Sequence, residues 1–378
     1  MSLLRTRPVA TPAMIAVFDD AATIAEALGF EAALAAAQAA EGVISTEAAQ
    51  AIASAVHGFV IDPAELAEAA ALAGTLAIPL IARLRASLHG DAAEALHRGA
   101  TSQDVAETAL MRQVRQATRL LLDDVTRITA ALTPLAQDWA QTPAIGRTLL
   151  QDAQPIGFGL RIAQWHAGIA AAARRVEREV ASSAALQWGG AAGTRPGQTD
   201  SAAAVARRLA AALELADAPP WHARREGIAG IAAALGILIG ALAKMARDVA
   251  LLSQNAIGEA REPAVAGRGG SSAMAHKRNP TGCQVALSAA IRAPGLVAGI
   301  LAAMSAEEER GIGGWQAEGP MLVDLFLLAS GAAEAMAVVA QGLKIDDAAI
   351  GRNLAAAGQG NDIADSVALV VALLSEKD

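Results

Sequence analysis

GIAGIAAALGILIGALAKMARDVALL, residues 227–252, decides the architecture. Its first seventeen residues, Gly227 to Ala243, carry no charge, which is the lower edge of the roughly 17 to 25 that a bilayer-spanning helix needs. The spacing of the large side chains points elsewhere. Ile231, Leu235, Leu238, Leu242, Met245, Val249 and Leu252 step alternately by four and three, the a/d seam of helix-on-helix packing. The seam continues past Lys244, Arg247 and Asp248. The opposite face is largely alanine and glycine, suited to close approach of neighbouring helices. The stretch reads as a buried helix of a bundle, with no membrane partner.

The helix it belongs to is expected over roughly 221–257, and on either side lie further long apolar-periodic segments, roughly 102–138, 155–186, 280–304 and 320–342. With the first they make five long helices, the content of a central bundle. Shorter helices are expected at Ala21–Glu41, Thr46–Phe59, Pro63–Leu72 and Pro79–Leu88, and two at most after Leu343. The reading is therefore all-α, with a small N-terminal helical domain over 1–98, a long-helix bundle over 99–342 and a shortened C-terminal helical domain over 343–378. Composition agrees. Of 378 residues, 54% are hydrophobic, yet aromatics are 3% and tyrosine is absent, so alanine and leucine dominate and helix is the favoured material.

Net charge is −8 and the isoelectric point near 5.4. Basic runs do not exceed pairs such as Arg174-Arg175 and Arg224-Arg225, which argues against a nucleic-acid surface and for a small substrate. The single cysteine, Cys283, allows no intrachain disulfide and offers no metal-binding spacing. No metal or organic cofactor is implied. The start, MSLLRTRPVATP, lacks the apolar core of a signal peptide, so the cytoplasm is expected.

Chemistry concentrates at the breaks between the helices. GRGGSSAMAHKRNPTG, residues 267–282, combines Gly267, Gly269 and Gly270 with the hydroxyls of Ser271 and Ser272 and the donors of His276, Lys277, Arg278 and Asn279. That is the equipment of a closing active-site loop, although taken alone a glycine-rich charged segment is more often a solvated surface loop. In HRGATSQDVAETAL, residues 97–110, Thr101 with Asp104 has the form of a helix-capping box. The same helix start, with Thr101 and Ser102 beside His97, would also suit a carboxylate. In GRTLLQDAQPIGFG, residues 146–159, Arg147, Thr148 and Gln151 precede a helix expected to start near Pro155; alone it is an ordinary turn. WGGAAGTRPG, residues 188–197, implies a sharp turn or close backbone approach. EEERGIGGWQAEGP, residues 307–320, gathers Glu307, Glu308, Glu309, Arg310, Trp315, Gln316 and Glu318, a charge run whose default reading is a solvated connection.

Three of these segments, in this order, resemble the signatures of the fumarase/aspartase superfamily. HRGATSQDVAETAL is similar to its TSxD segment, GRTLLQDAQP to its GRTHLQxAxP segment and GGSSAMAHKRNPTG to its GSSxMPxKxNP loop. FEAALAAAQAAEGVI, PWHARRE, GGAAGT and the ER…GGWQAE stretch look like its 3-carboxy-cis,cis-muconate cycloisomerase branch. That branch belongs to protocatechuate degradation in the β-ketoadipate route of aromatic catabolism. The resemblance implies a helical subunit in a homotetramer, active sites assembled from loops of three subunits, and a small tricarboxylate substrate. It also implies the roles. Ser271 handles the proton on carbon. Lys277 and Asn279 bind the charged carboxylate, and Thr101, Ser102, Thr148 and Gln151 complete the cradle. Arg278, Arg310, His97 and His276 are candidate contributors of further positive charge or donors.

The sequence departs from the pattern at Leu149, where the superfamily's lyases place a histidine that helps protonate a leaving group. A carboxylate with a pKa of about 4 attacks or leaves as an anion and needs no such proton, so the departure fits intramolecular lactonisation. Ala275 replaces the loop's usual proline, Ala21 and Ala22 stand where relatives carry an arginine, and Arg195 interrupts GGAAGT. The competing readings are an adenylosuccinate-lyase-like elimination enzyme, which shares the TSxD and HKRNP forms, a non-catalytic structural member, and a plain helical interaction protein.

Overall fold

The computed structural model describes residues 2–270, 274 and 277–375. The chain opens with α1 (Leu3–Thr6), α2 (Pro12–Val17), α3 (Asp20–Ala40), α4 (Thr46–His57), α5 (Pro63–Ala73), α6 (Ala77–Ala86) and α7 (Gly90–Ala95). Side-chain oxygens of Thr11, Asp19, Ser45 and Asp62 accept from the first-turn N–H groups of α2 to α5; the starts of α3 to α5 match the sequence expectation, whereas α2 was not expected. The long elements follow: α8 (Ser102–Asp138), α9 (Phe158–Ser183), the shorter α10 (Ala202–Ala212), α11 (Glu226–Leu252), α12 (Thr281–Ala303) and α13 (Gly314–Gly342). The chain closes with α14 (Asp347–Ala356) and α15 (Ala364–Ser375).

The seam of α11 behaves as its spacing requires. Ile231, Leu235, Leu238, Leu242, Met245 and Val249 are fully buried and Leu252 nearly so, packed among α9, α12 and α13. Each such side chain contributes about 2 kcal/mol through apolar burial. By length and composition α11, α12 and α13 could each cross a membrane. In the fold α11 and α13 spend their apolar surface on one another and on α8, α9 and α12.

Two departures from the sequence expectation lie near the chemistry. Pro155 itself lies in a strand, three residues before the helix expected there begins. Residues 143–157 form an antiparallel hairpin, β1 (Pro143–Thr148) and β2 (Gln151–Gly157), and α9 begins only at Phe158. Leu149 and Leu150 make its tip, both in the left-handed region with φ of 51° and 64°, the two-residue turn that matches strand twist. Second, α13 begins at Gly314 and carries Pro320 inside it, so the WQAEG segment is helical. A second small pairing joins β3 (Ala260–Arg261) to β4 (Lys344–Ile345).

Side-chain pairings fix the directions of the bundle. The start of α8 lies with the start of α11 and the first turns of α13, through His222–Asp104 and Arg225–Glu107–Glu318. The far end holds the hairpin, the start of α12 and the end of α13, where Gly342 abuts Pro263 and Gly282 abuts Val339. The bundle thus has two poles, a head carrying Thr101 and a foot carrying the hairpin. At 1.5 Å per residue the 37-residue α8 sets the hairpin about 55 Å from the head, and the 23-residue α12, whose last residues line the head cavity, sets its own start about 35 Å from it.

Candidate active site

At the head pole, Asp104 is the organising group. It is fully buried and accepts from the Thr101 backbone N–H at 3.0 Å, as the capping-box spacing anticipates. The same carboxylate also takes Gln187 Nε2 at 2.9 Å, the Gly189 and Gly190 N–H groups at 3.0 and 2.9 Å, and His222 Nε2 at 2.8 Å. One side chain therefore joins the TSQD segment to the WGG turn and to PWHARRE. At Gly190, φ is 72° and a Cβ would stand 2.7 Å from Pro196, which is why the turn is glycine. Arg195, the residue that departs from GGAAGT, is a fastener: it donates to the Trp188 and Ala218 carbonyls at 3.1 and 2.8 Å.

Arg310 reaches the same helix start. Its Nη1 donates to Thr101 Oγ1 at 2.7 Å and its Nε to Gln103 Oε1 at 3.2 Å. Ser102 is the first residue of α8, half-buried. His97, at φ 64°, sits in the turn before it. Beneath them Arg225 is buried between Glu107 and Glu318, with Nη2 2.5 Å from each carboxylate, and its guanidinium lies over the Trp221 ring at 5.1 Å. Glu318 is thus no part of a solvated connection; long-range pairing with Arg225 buries it. Burial pushes the Glu107 carboxyl up to about 7 against the opposing pull of Arg225. Two carboxylates sharing one guanidinium out of water favour a proton on the pair. A cavity of about 170 Å³ adjoins this pole, lined by His222, Arg225, Ser305, Glu307 and Trp315 among others.

At the foot pole a buried carboxylate again does the anchoring. Glu259 accepts from Arg147 Nη1 and Nη2 at 3.1 and 2.6 Å and from Asn353 Nδ2 at 2.7 Å, with Arg161 Nη1 at 3.7 Å. The hairpin is clamped at Arg147, and its tip projects: Thr148, Leu149, Leu150 and Gln151 are exposed, Leu149 to 95%. Three residues beyond Glu259, Glu262 accepts from the Gly282 and Cys283 N–H groups at 3.0 and 2.5 Å, neutralising the positive start of α12. Burial and the neighbouring Glu262 push the Cys283 thiol far up, so it is no nucleophile. The two limbs of the glycine-rich segment meet where Asn279 N–H donates to the Gly269 carbonyl at 2.8 Å and its Nδ2 to the Gly270 carbonyl at 3.3 Å. A Cβ at Gly269 would stand 2.7 Å from Asn279 O, and φ there is 76°, so only glycine fits. Lys277 and Arg278 are exposed. Ser271 and His276 lie outside the described residues.

The sequence-derived residues therefore fall into two sets. Thr101, Ser102, His97 and Arg310 gather at the head, while Thr148, Gln151, Lys277, Arg278 and Asn279 are at the foot. A hairpin arm of about 20 Å does not bridge the roughly 55 Å from hairpin to head, and the 23-residue α12 keeps Asn279 about 35 Å from it, so among the described residues the two sets do not meet on one small ligand. Among the described residues there is no group of three or more His, Cys, Asp or Glu fit to hold a metal ion. The residues that sequence reasoning passed over are the buried partners Asp104 in its wider role, Gln187, His222, Glu107, Arg225, Glu259 and Glu262. Their polar types at apolar-flanked positions were visible, but their pairings span up to 118 residues.

Residues 6–295 match a lyase family. The chain is 44% identical over 376 residues to the 3-carboxy-cis,cis-muconate cycloisomerase of Bradyrhizobium diazoefficiens, covering 98% of this chain and 83% of that protein. It is 40% identical to the enzyme of the same name from Pseudomonas putida, covering 97% and 88%. The fold superposes on the crystal structure of 3-carboxy-cis,cis-muconate lactonizing enzyme from Pseudomonas putida with a TM-score of 0.87 at 37% identity, covering 93% of this chain and 79% of that one.

Proposed function

Since the chain belongs to this lyase family of the fumarase/aspartase superfamily, we propose that it converts 3-carboxy-cis,cis-muconate to 4-carboxymuconolactone, a step of aromatic catabolism. The observation that carries the reading is the kinship with cycloisomerases over nearly the whole chain, in sequence and in fold. Leu149 at the hairpin tip agrees with it. The nucleophile here is the substrate's own carboxylate, already anionic at neutral pH, and a histidine at that position has no proton to move.

One substrate carboxylate adds across the conjugated double bond and forms the new C–O bond. The π pair moves to the carbon beside a second carboxylate, which takes the charge as an aci-form dianion. Ser271 delivers a proton to that carbon and is reprotonated from solvent. Three carboxylates become two carboxylates and a lactone, with one proton taken up. The dianion calls for cations and donors held ready in place: Lys277 and Asn279 take the charged carboxylate, and Thr101, Ser102, Thr148 and Gln151 line the remainder. Arg310, Arg278, His97 and His276 contribute charge or donors to the other carboxylates. Such a site reconciles a tricarboxylate with a chain of net charge −8, because local sign outweighs net sign.

The site is assigned to a homotetramer in which heads and feet of different subunits meet. The separation of the poles supports this, as does α12. That helix is apolar, yet only 22% of its most hydropathic stretch is buried in the subunit, with Ile291 and Leu301 facing outward beside Pro294, Gly295 and Ala298. A second copy of this chain is the natural cover for such a face. The cytoplasm, where a lone thiol such as Cys283 stays reduced, is the assigned compartment.

The test is a spectrophotometric assay with 3-carboxy-cis,cis-muconate, following loss of the conjugated diene. Turnover by the wild type and its abolition in Ser271→Ala, with helical content intact, is the expected result. An inert wild type would overturn the reading, and undiminished activity in Ser271→Ala would remove Ser271 from the mechanism.

A further inference from the structure

Helix α3 is apolar along most of its length, yet it buries two polar side chains, Glu31 and Gln38. They are seven residues apart, hence on one face, and both are spent on the turn that carries His97. Gln38 Nε2 donates to the Arg98 carbonyl at 2.8 Å. Glu31 Oε1 stands 2.7 Å from His97 Nδ1. The turn itself is strained, because His97 holds φ at 64°, a region that non-glycine residues rarely enter.

Glu31 is poorly provided for as a structural residue. Its second oxygen, Oε2, is buried without a hydrogen-bond partner among the described residues. An under-satisfied buried carboxylate is destabilising, and an apolar residue would pack α3 more favourably at this position. A carboxylate so placed does one thing well. As an acceptor it keeps the proton of His97 on Nδ1 and holds the ring in one orientation, leaving Nε2 as the nitrogen available to a ligand. The ring is 18% exposed and the carboxylate wholly enclosed, so the pair opens outward through the imidazole.

Resting on the cycloisomerase reading, we propose that Glu31 is a positioning residue for this enzyme: it orients His97 so that Nε2 meets a substrate carboxylate at the head pole. The bridge is made by the ring's doubly protonated form, which donates Nδ1–H to Glu31 and Nε2–H to the substrate carboxylate. The role belongs to binding, so it appears in KM.

A double-mutant cycle tests it. His97→Asn removes the ring while keeping a residue that tolerates the left-handed backbone, and Glu31→Gln removes the charge at nearly constant volume. Each single variant is expected to raise KM about tenfold with kcat within about threefold. The double variant should be no worse than His97→Asn alone, because Glu31 acts through the ring. An unchanged KM in Glu31→Gln, or additive losses in the double variant, would overturn the proposal and leave Glu31 a folding residue. The same cycle read by calorimetric binding of propane-1,2,3-tricarboxylate does not depend on turnover. A wild type that binds this probe with the expected coupling but leaves the muconate unchanged would therefore sink the catalytic reading alone. Tricarboxylate binding that is identical in all four proteins would sink the dyad.

Discussion

Asp104 shows how much one buried carboxylate settles. Five donors from three segments converge on it, so Asp104→Ala would leave buried N–H groups unpaired. The expected loss is about 3 to 5 kcal/mol of unfolding free energy, measured by denaturant titration, with activity lost before the fold as Thr101 shifts. Glu107 carries a pH signature. Its carboxyl is raised in the folded protein from 4.5 to about 7 by burial, so between those values the folded state binds the extra proton and stability falls as pH rises. Glu107→Gln should flatten that slope over the same window, and thermal midpoints in a buffer series would show it. Thr101, Asp104 and Arg310 were singled out from sequence because local motifs carry them. Their partners were given no role: His222 stands inside the PWHARRE stretch, but nothing local marks it or Glu259 as the mate of a residue 118 or 112 positions away.

At the scale of elements, helices were legible and the hairpin was not. The 3.6-residue period repeats often enough in α8, α9 and α11 to bound each within a few residues. The 143–157 hairpin lacks strict alternation, and its tip is Leu149-Leu150, far from the Asn-Gly or Asp-Gly that announces such a turn. Pro155 and Pro320 misled in the same way: each was read as the first residue of a helix, whereas one lies in a strand and the other inside a helix. The foot hairpin depends on Glu259 for its attitude. Glu259→Ala would leave Arg147 and Arg161 without their buried counter-charge. Limited proteolysis should then cut near the tip at least severalfold faster than in the wild type.

For the whole molecule, the decisive dimension is the length of α8. With the two sets of candidate residues about 35 Å or more apart, the homotetramer we propose predicts that a head-pole defect and a foot-pole defect fall on different subunits of any one site. Arg310→Ala and Lys277→Ala are each expected to be nearly inactive. Unfolded and refolded together, they should regain a measurable fraction of wild-type activity, up to about a quarter by random assortment; sites confined to one chain would regain none. Ile291→Arg, on the outward face of α12, should lower the mass measured by light scattering and remove activity along with it.

The hairpin tip bears on engineering. Leu149 and Leu150 both hold left-handed backbone that an L-residue occupies at roughly 1 kcal/mol each, and both face outward. A stabilisation campaign scored on the lone subunit would exchange them for Asn-Gly, and by that score it would succeed. In the homotetramer we propose, it would also erase the apolar tip of an arm that meets a neighbour. The most stable monomer and the working enzyme are therefore different optimisation targets at these two positions, and only a screen run on the assembled protein can tell them apart.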